Sequence, residues 1–496
     1  MNTKSIAYIL GWILKIEAVL MLLPLGTSLV YGEEQGVAFL ITIALCAAFG
    51  FLLTGRKPKS PSFSAREGFV TTALGWIVMS VFGCLPFVLT GEIPRFIDAL
   101  FETVSGLTTT GASIMTSVEE MSHCSMIWRC FTHWIGGMGV LVFLLAVVPM
   151  VGGSNMHLMK AESPGPSVGK LVPKVRYTAR ILYDLYIALT LLEVVLLLAG
   201  GMTPYEALCT SFGTAGTGGF GIRNDSIAGF SPYIQWVVTI FMIIFGVNFN
   251  VYFLLLMRKF MQAVRCEEMR WYLGIIAAAT TLIFFNAYDA ALTAEHNLRN
   301  SLFQVASIIT TTGFATTDFD LWPVFSKLIL VVLMFVGACA GSTGGGLKVS
   351  RFVMTGKALG RYMASLLHPR AVRKVKFEDK DVDEETLRAI SVYFISVFFI
   401  VVVSLVIVAL DNKDLITTFT AVAATFNNIG PGLGEVGPTC NFAAFSDRAK
   451  CVMIFDMLAG RLEVFPLLML LYPPLWKEAV HEHQRRKRRE RALVEE

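Results

Sequence analysis

The sequence predicts an all-α, polytopic membrane protein made of four tandem units, each a span, a short helix, a loop and a second span. Three observations predict it. Of the 496 residues, 55% are hydrophobic and 16% charged, against about 25% charged in soluble proteins, and the mean hydropathy is +0.63. Apolar runs of membrane-spanning length recur from end to end. Four similar polar stretches also return roughly every 100 residues, a period that marks repeated structural units.

The spans, in order, are 5–30, 36–55, 68–90, 125–150, 180–200, 232–258, 271–293, 325–365 (broken), 387–410 and 447–475. The opening run lacks a small-residue cleavage site and is interrupted by Lys15 and Glu17, which fits a span better than a removed signal peptide. Basic groups cluster around Arg56 to Arg66, Lys160 to Arg180, Arg258 to Arg270, Lys348 to Arg388 and the tail 481–496. The loops between carry Glu33, Glu119, Asp225, Asp318 and Asp411. The positive-inside rule puts the basic set, and therefore both termini, in the cytoplasm. The tail is a solvated charge run or a contact with membrane lipid headgroups. The nine cysteines show no C-x-x-C pair, and a disulfide among Cys124, Cys130, Cys440 and Cys451 stays open.

The repeated stretches are "FETVSGLTTTGAS" from Phe101, "LCTSFGTAGTGGFG" from Leu208, "FQVASIITTTGFAT" from Phe303 and "FTAVAATFNNIGPG" from Phe419. They align on Gly111, Gly219, Gly313 and Gly430. Each glycine follows a moderately apolar segment too short to cross a bilayer, at 95–107, 204–215, 297–309 and 413–426. These segments read as re-entrant helices. Pro94 and Pro204 suit helix starts, as do Asp98, Asn297 and Asp414 near the first turns. Four helix C-termini converging on one point create a negative potential there. The turns that follow offer backbone carbonyls, supplemented by the hydroxyls of Thr108, Thr109, Thr110, Thr310, Thr311 and Thr312. Such oxygens replace the hydration shell of an alkali cation. The turns hold no carboxylate, which argues against a divalent ion.

With these stretches, "HWIGGMGVLVFLLAVVPMVG", "AESPGPSVGK", "CAGSTGGGLKVSR", "NNIGPGL" and "LAGRLEVFPLL", the chain resembles the Trk/Ktr/HKT superfamily of cation transporters, in its TrkH/TrkG-like branch. The resemblance implies membrane–pore–membrane repeats around a pseudo-fourfold pore plus two N-terminal transmembrane helices. The resulting division is 1–60 for the extra helices, 61–155, 156–265, 266–375 and 376–480 for the repeats, and 481–496 for a basic cytoplasmic tail. It also implies potassium uptake across a bacterial cytoplasmic membrane. The filter then comprises Thr108, Thr109, Thr110 and Gly111; Gly216, Thr217, Gly218 and Gly219; Thr310, Thr311, Thr312 and Gly313; and Asn427, Asn428, Ile429 and Gly430. K⁺ is the transported ion, held mainly by carbonyls. The implied partners are a second copy of the chain and a cytosolic TrkA-like ring that binds nucleotides. This chain carries no nucleotide motif, and no nucleic-acid role is expected. The ring would dock on the basic loops 155–180, 258–271 and 348–388 and the tail.

Two further features concern gating. The stretch 337–348, "GACAGSTGGGLK", breaks a span with small residues. The resemblance makes it a gate loop, with Gly341, Ser342, Thr343, Gly344, Gly345 and Gly346 movable and hydrated, and Lys348 anchoring the inner end toward the cytoplasm. Arg461, an ionisable residue in the middle of the last span, is expensive there and hence functional. The resemblance places it in the pore beneath the filter. A pair with Asp456 or Glu463 is the bland alternative, at unfavourable helical spacings. Asn248 and Asn250 either kink their span or bond to a neighbouring helix. His123 and His133 are too isolated for a metal site.

An intramembrane enzyme is excluded. "AGSTGG" lacks the first glycine of a nucleophile elbow, since Ala340 stands there. It also lacks a phosphate-loop lysine, because Leu347 separates Gly346 from Lys348. A secondary transporter with substrate bound at helix breaks is the rival reading, and a Na⁺-preferring relative is a third. Repeats that all run in parallel favour a pore.

Overall fold

The computed structural model describes residues 3–55, 65–151, 175–370, 373–474 and 476. Side chains at 65, 138–151 and 175–179 are not described. The stretch "AESPGPSVGK", most of the 155–180 loop and the 481–496 tail lie outside the described residues.

Among the described residues the regular structure is helical, as expected, with one short antiparallel hairpin, Lys376–Phe377 with Lys380–Asp381. Six described helices are long and apolar enough to cross a membrane, or seven if a pair bent by 92° is one span. They include Thr3–Tyr31, Gly36–Thr54, Arg66–Thr90 and Glu384–Asp411. Helices also lie where the other crossings are expected, at His123–Val151, Pro232–Gly246 with Phe249–Leu256, Val324–Val336 with Val349–Leu367, and Asp447–Arg461 with Phe465–Leu471.

Four short helices lie where re-entrant segments are expected: Phe96–Leu107, Pro204–Ala215, Ala294–Ile309 and Leu415–Phe426. Local chemistry starts three of them. Thr203 and Glu206 form a capping box. Thr293 caps the third helix by accepting from His296 N, so it begins three residues before Asn297. Asn297 instead donates to the carbonyl of Asp289 at 2.9 Å and ties down the preceding loop. Asp414 caps the fourth, accepting from Ile416 N and Thr417 N.

The packing repeats four times and closes on itself. Each short helix packs against both spans of its own unit and against the second span of the preceding unit. Thus Phe96–Leu107 touches Ala65–Gly83 and His123–Val151, and also Asp447–Arg461 from the fourth unit. The first span packs on Gly36–Thr54 and Ala65–Gly83, outside this ring. The C-terminal halves of the short helices are wholly buried. By contrast, only 22% of the most apolar window of Glu384–Asp411 is buried. That is the burial of a peripheral span whose apolar side chains face lipid.

Three spans turn, stop or end at places the expected bounds did not give, the first at the Asn248 kink that the sequence allowed. The sixth span turns at Val247–Asn248, where Asn248 starts a new helix by accepting from Asn250 N. The tenth stops at Arg461 and restarts at Phe465, with Glu463 and Val464 at φ of 55° and 69°. The seventh ends at Asn286, short of 293. All nine cysteines lie among the described residues and are unpaired.

Candidate functional site: a ring of four turns and the loop against it

Each short helix ends in the same way. The second residue of each tetrad (Thr109, Thr217, Thr311, Asn428) is left-handed, with φ between 54° and 58°. The N–H of that residue bonds back three residues, and the next N–H bonds back five: Thr110 to Ser105, Gly218 to Gly213, Thr312 to Ser307, Ile429 to Ala424. This is a Schellman ending, which glycine usually provides. Three threonines and an asparagine take that place here. A non-glycine residue held so costs on the order of 1–3 kcal/mol and persists only where its surroundings enforce it.

The fourth residue of each tetrad is a glycine at φ +76° to +98°. A Cβ on Gly111 would lie 1.9 Å from the carbonyl oxygen of Gly218. On Gly219 it would lie 1.9 Å from Thr312 O, on Gly313 2.2 Å from Ile429 O, and on Gly430 2.8 Å from Thr110 O. Each glycine therefore abuts the third carbonyl of the next unit, and the fourth returns to the first. The sixteen expected residues thus form one closed ring of backbone.

The hydroxyls are used differently from the expectation. Thr108 Oγ1 donates to Val104 O and lies 2.8 Å from Thr110 Oγ1. Thr310 Oγ1 donates to Ala306 O and lies 2.7 Å from Thr312 Oγ1. These hydroxyls brace the turns, because the nearest acceptors are their own helix carbonyls. The fourth unit is tied to the first by Asn428, whose Nδ2 donates to Thr110 Oγ1 at 3.0 Å and Met457 O at 2.8 Å.

The loop 337–348 lies against the deep end of this ring. Its bounds match the expected ones, between the helices Val324–Val336 and Val349–Leu367. Gly345 N donates to Thr311 Oγ1 at 2.6 Å, and Gly346 N to Asn427 O at 3.0 Å. A Cβ on Gly345 would lie 2.7 Å from Asn427 O. Only a bare backbone fits that close. On the other side, Cys339 N reaches Gly246 O and Gly341 O accepts from Phe249 N, at the break of the second unit's span.

Arg461 joins the loop to the first unit. Its Nη1 donates to Thr343 O at 2.8 Å, and its Nη2 to the carbonyls of Gly136 and Gly137. The pair with Asp456 or Glu463 is not formed: Asp456 accepts from Ser404 Oγ at 2.7 Å, and Glu463 pairs with Arg351. Two expectations for the loop need correction. Ser342 and Thr343 are buried and their hydroxyls donate to Cys339 O and Phe245 O, not to water. Lys348 does not point to the cytoplasm. It is 2% exposed, and its amine folds back onto Gly344 O, because its φ of +77° turns the chain there.

The TrkH family of cation transport proteins matches residues 35–474. The chain belongs to that family. It is 36% identical over 490 residues to the Trk system potassium uptake protein TrkH of Salmonella typhimurium, covering 96% of this chain and all of that protein. It is 32% identical over 487 residues to the Trk system potassium uptake protein TrkG of Escherichia coli, with the same coverage. Among solved structures, the potassium transporter TrkH from Vibrio parahaemolyticus superposes with a TM-score of 0.85 at 34% identity, over 96% of this chain and all of that one. This TrkH-family chain is accordingly a multi-pass membrane protein.

Several residues behind the ring were not among the expected site residues. Buried His133 donates from Nδ1 to Gly106 O at 2.8 Å and accepts Phe220 N–H on Nε2 at 3.1 Å. It bridges the first short helix to the second turn. Arg129 and Glu102 form a buried pair at 2.6 Å, with Arg129 also over the Phe220 ring and Glu102 accepting from Ile114 N. A glutamate inside the apolar "FETVSG" was the available signal. Among the described residues no cluster of three or more His, Cys, Asp or Glu side chains is placed to hold a metal.

Proposed function

We propose that this chain carries K⁺ into the cell across the bacterial cytoplasmic membrane, through a filter made by the four tetrads. The observation that carries the reading is the closed ring: four identical backbone endings, with each glycine set against the next unit's carbonyl. Carbonyl oxygens so arranged take over the hydration shell of an alkali ion, and the C-termini of the four short helices make the point electronegative. The relatives are named for potassium uptake, which supports K⁺ as cargo.

The loop 337–348 acts as the gate, with Gly341, Ser342, Thr343, Gly344, Gly345, Gly346 and Lys348 filling the space against the ring. Arg461 latches it through Thr343 O and adds a fixed positive charge on the ion's path. Both termini are cytoplasmic. The membrane unit is a homodimer, and a cytosolic TrkA-like ring that senses nucleotide docks on the basic cytoplasmic face. Arg258, Lys259, Arg265 and Arg270 are exposed and would form part of such a contact surface. The chain itself binds no nucleotide.

Purified protein in liposomes tests this. A K⁺ gradient alone, with no H⁺ or Na⁺ gradient, is expected to drive flux through the pore. Flux that requires H⁺ or Na⁺ would transfer the family function to a coupled carrier. Flux of the chain alone is expected to ignore ATP and NADH, and full nucleotide regulation without a partner would refute the division of labour.

A further inference from the structure

Glu268 lies in the first turn of the helix Glu267–Asn286, the first span of the third unit. Its side chain is 1% exposed. Oε1 accepts two backbone N–H groups, Ala340 at 2.7 Å and Ser350 at 3.2 Å. Oε2 faces Asn248 Nδ2 at 3.4 Å. Ala340 lies just inside the start of the loop 337–348, and Ser350 just past its end. One carboxylate oxygen therefore closes both ends of the loop, and the other reaches the break in the second unit's span.

The chemistry explains why an acceptor stands there. Ser350 is in the first turn of the helix Val349–Leu367, whose opening N–H groups have no acceptor within the helix. The N-cap residue, Lys348, provides no side-chain cap. Glu268 supplies the missing acceptor from another helix. It also receives Ala340 N, which left its helix when the span broke. Glu268 in turn is fixed at its own backbone, where its N–H donates to Glu378 Oε1 at 3.1 Å, in the turn of the 376–381 hairpin.

We propose that Glu268 is a positioning residue for the loop: it holds both ends in the blocking arrangement, and opening requires those two bonds to be released. The proposal rests on the reading of 337–348 as the gate. What it demands of residue 268 is reach and an acceptor oxygen, not charge.

The test uses the full chain in liposomes with two readouts, K⁺ flux and labelling of Cys339 by a hydrophilic thiol reagent, quantified by mass spectrometry. Cys339 is fully buried in the loop, so its labelling reports loop movement independently of conduction. Glu268→Gln keeps an acceptor at the position of Oε1, gives up only the long bond that Oε2 accepts from Asn248 Nδ2, and is expected to stay well below Ala and close to the wild type in both readouts. Glu268→Asp keeps the charge but is one methylene too short to hold both N–H groups. Asp, which gives up one of the two bonds, is expected to raise flux and Cys339 labelling roughly fivefold, the factor that one net hydrogen bond sets, and Glu268→Ala, which gives up both, is expected to raise them further. With residues 341–345 deleted, Glu268→Ala should add no further flux. If Asp matches the wild type while Gln behaves as Ala, charge is what matters and the proposal falls. Cys339 labelling unchanged in both Asp and Ala overturns it as well. Labelling that rises while flux does not would leave Glu268 holding the loop and refute the gate reading.

Discussion

Replacing Arg461 by alanine should raise K⁺ flux. The guanidinium contributes one charge-assisted bond to the loop, at Thr343 O, and two to the carbonyls of Gly136 and Gly137. Only the first holds the loop directly, while the others aim the fork. A hydrogen bond to a charged group is worth about 1.5–3 kcal/mol, so its loss shifts the closed-to-open ratio roughly 10- to 150-fold. The increase in flux is capped once the loop is mostly open. Removing the positive charge lowers the barrier to cations in addition, so both effects have the same sign. Arg461→Lys should fall between, since a point donor cannot span Thr343 and Gly136 as a planar fork does. The assay is K⁺ or Rb⁺ uptake into liposomes at matched protein content. Unchanged or lower flux from well-folded Arg461→Ala would refute the latch.

Deleting residues 341–345 should raise flux while the preference for K⁺ persists, because the N–H groups that shape the four turns bond to their own short helices; a folded deletion that conducts no faster counts against the gate. Alanine substitution around the ring should be graded. Gly111→Ala meets Gly218 O at 1.9 Å and should abolish selective uptake, whereas Gly430→Ala meets Thr110 O at 2.8 Å and should keep more of it. Equal losses, measured by uptake under competing Na⁺, would contradict the ring geometry. Asp456→Asn preserves the acceptor for Ser404 Oγ and should leave flux unchanged; a large fall would bring Asp456 into the conduction path.

Much of the site was legible in the sequence because it is local. A short apolar segment followed by a Thr- or Gly-rich turn announces a helix that stops within the membrane, and four in register announce a ring. The glycine run at 337–348 marked its own limits, since no helix tolerates it. Arg461 stood out by its cost in an apolar span. What stayed hidden depends on tertiary partners. Asn248 and Asn250 signalled a kink or a bond to a neighbouring helix, and both are present, but the size of the bend, 92°, depends on Glu268 and Gly341 beside it. Glu463 and Val464 take positive φ with no turn residue to signal it. Glu268 reads as an ordinary acidic residue in a helix's first turn, and its role depends on Ala340 and Ser350, more than 70 positions away. Lys348 looked like a surface anchor because lysines at span ends usually are, but the loop's own carbonyl at Gly344 captures it.

The central claim is that four unequal turns form one K⁺ filter that is separate from the gate. The most direct measurement is the reversal potential under bi-ionic K⁺ and Na⁺, for the wild type and the 341–345 deletion in the same liposomes. The account predicts a potential set by K⁺ and equal in both, with a larger current in the deletion. A potential near zero in the wild type, or one that collapses only when the loop is removed, would contradict it.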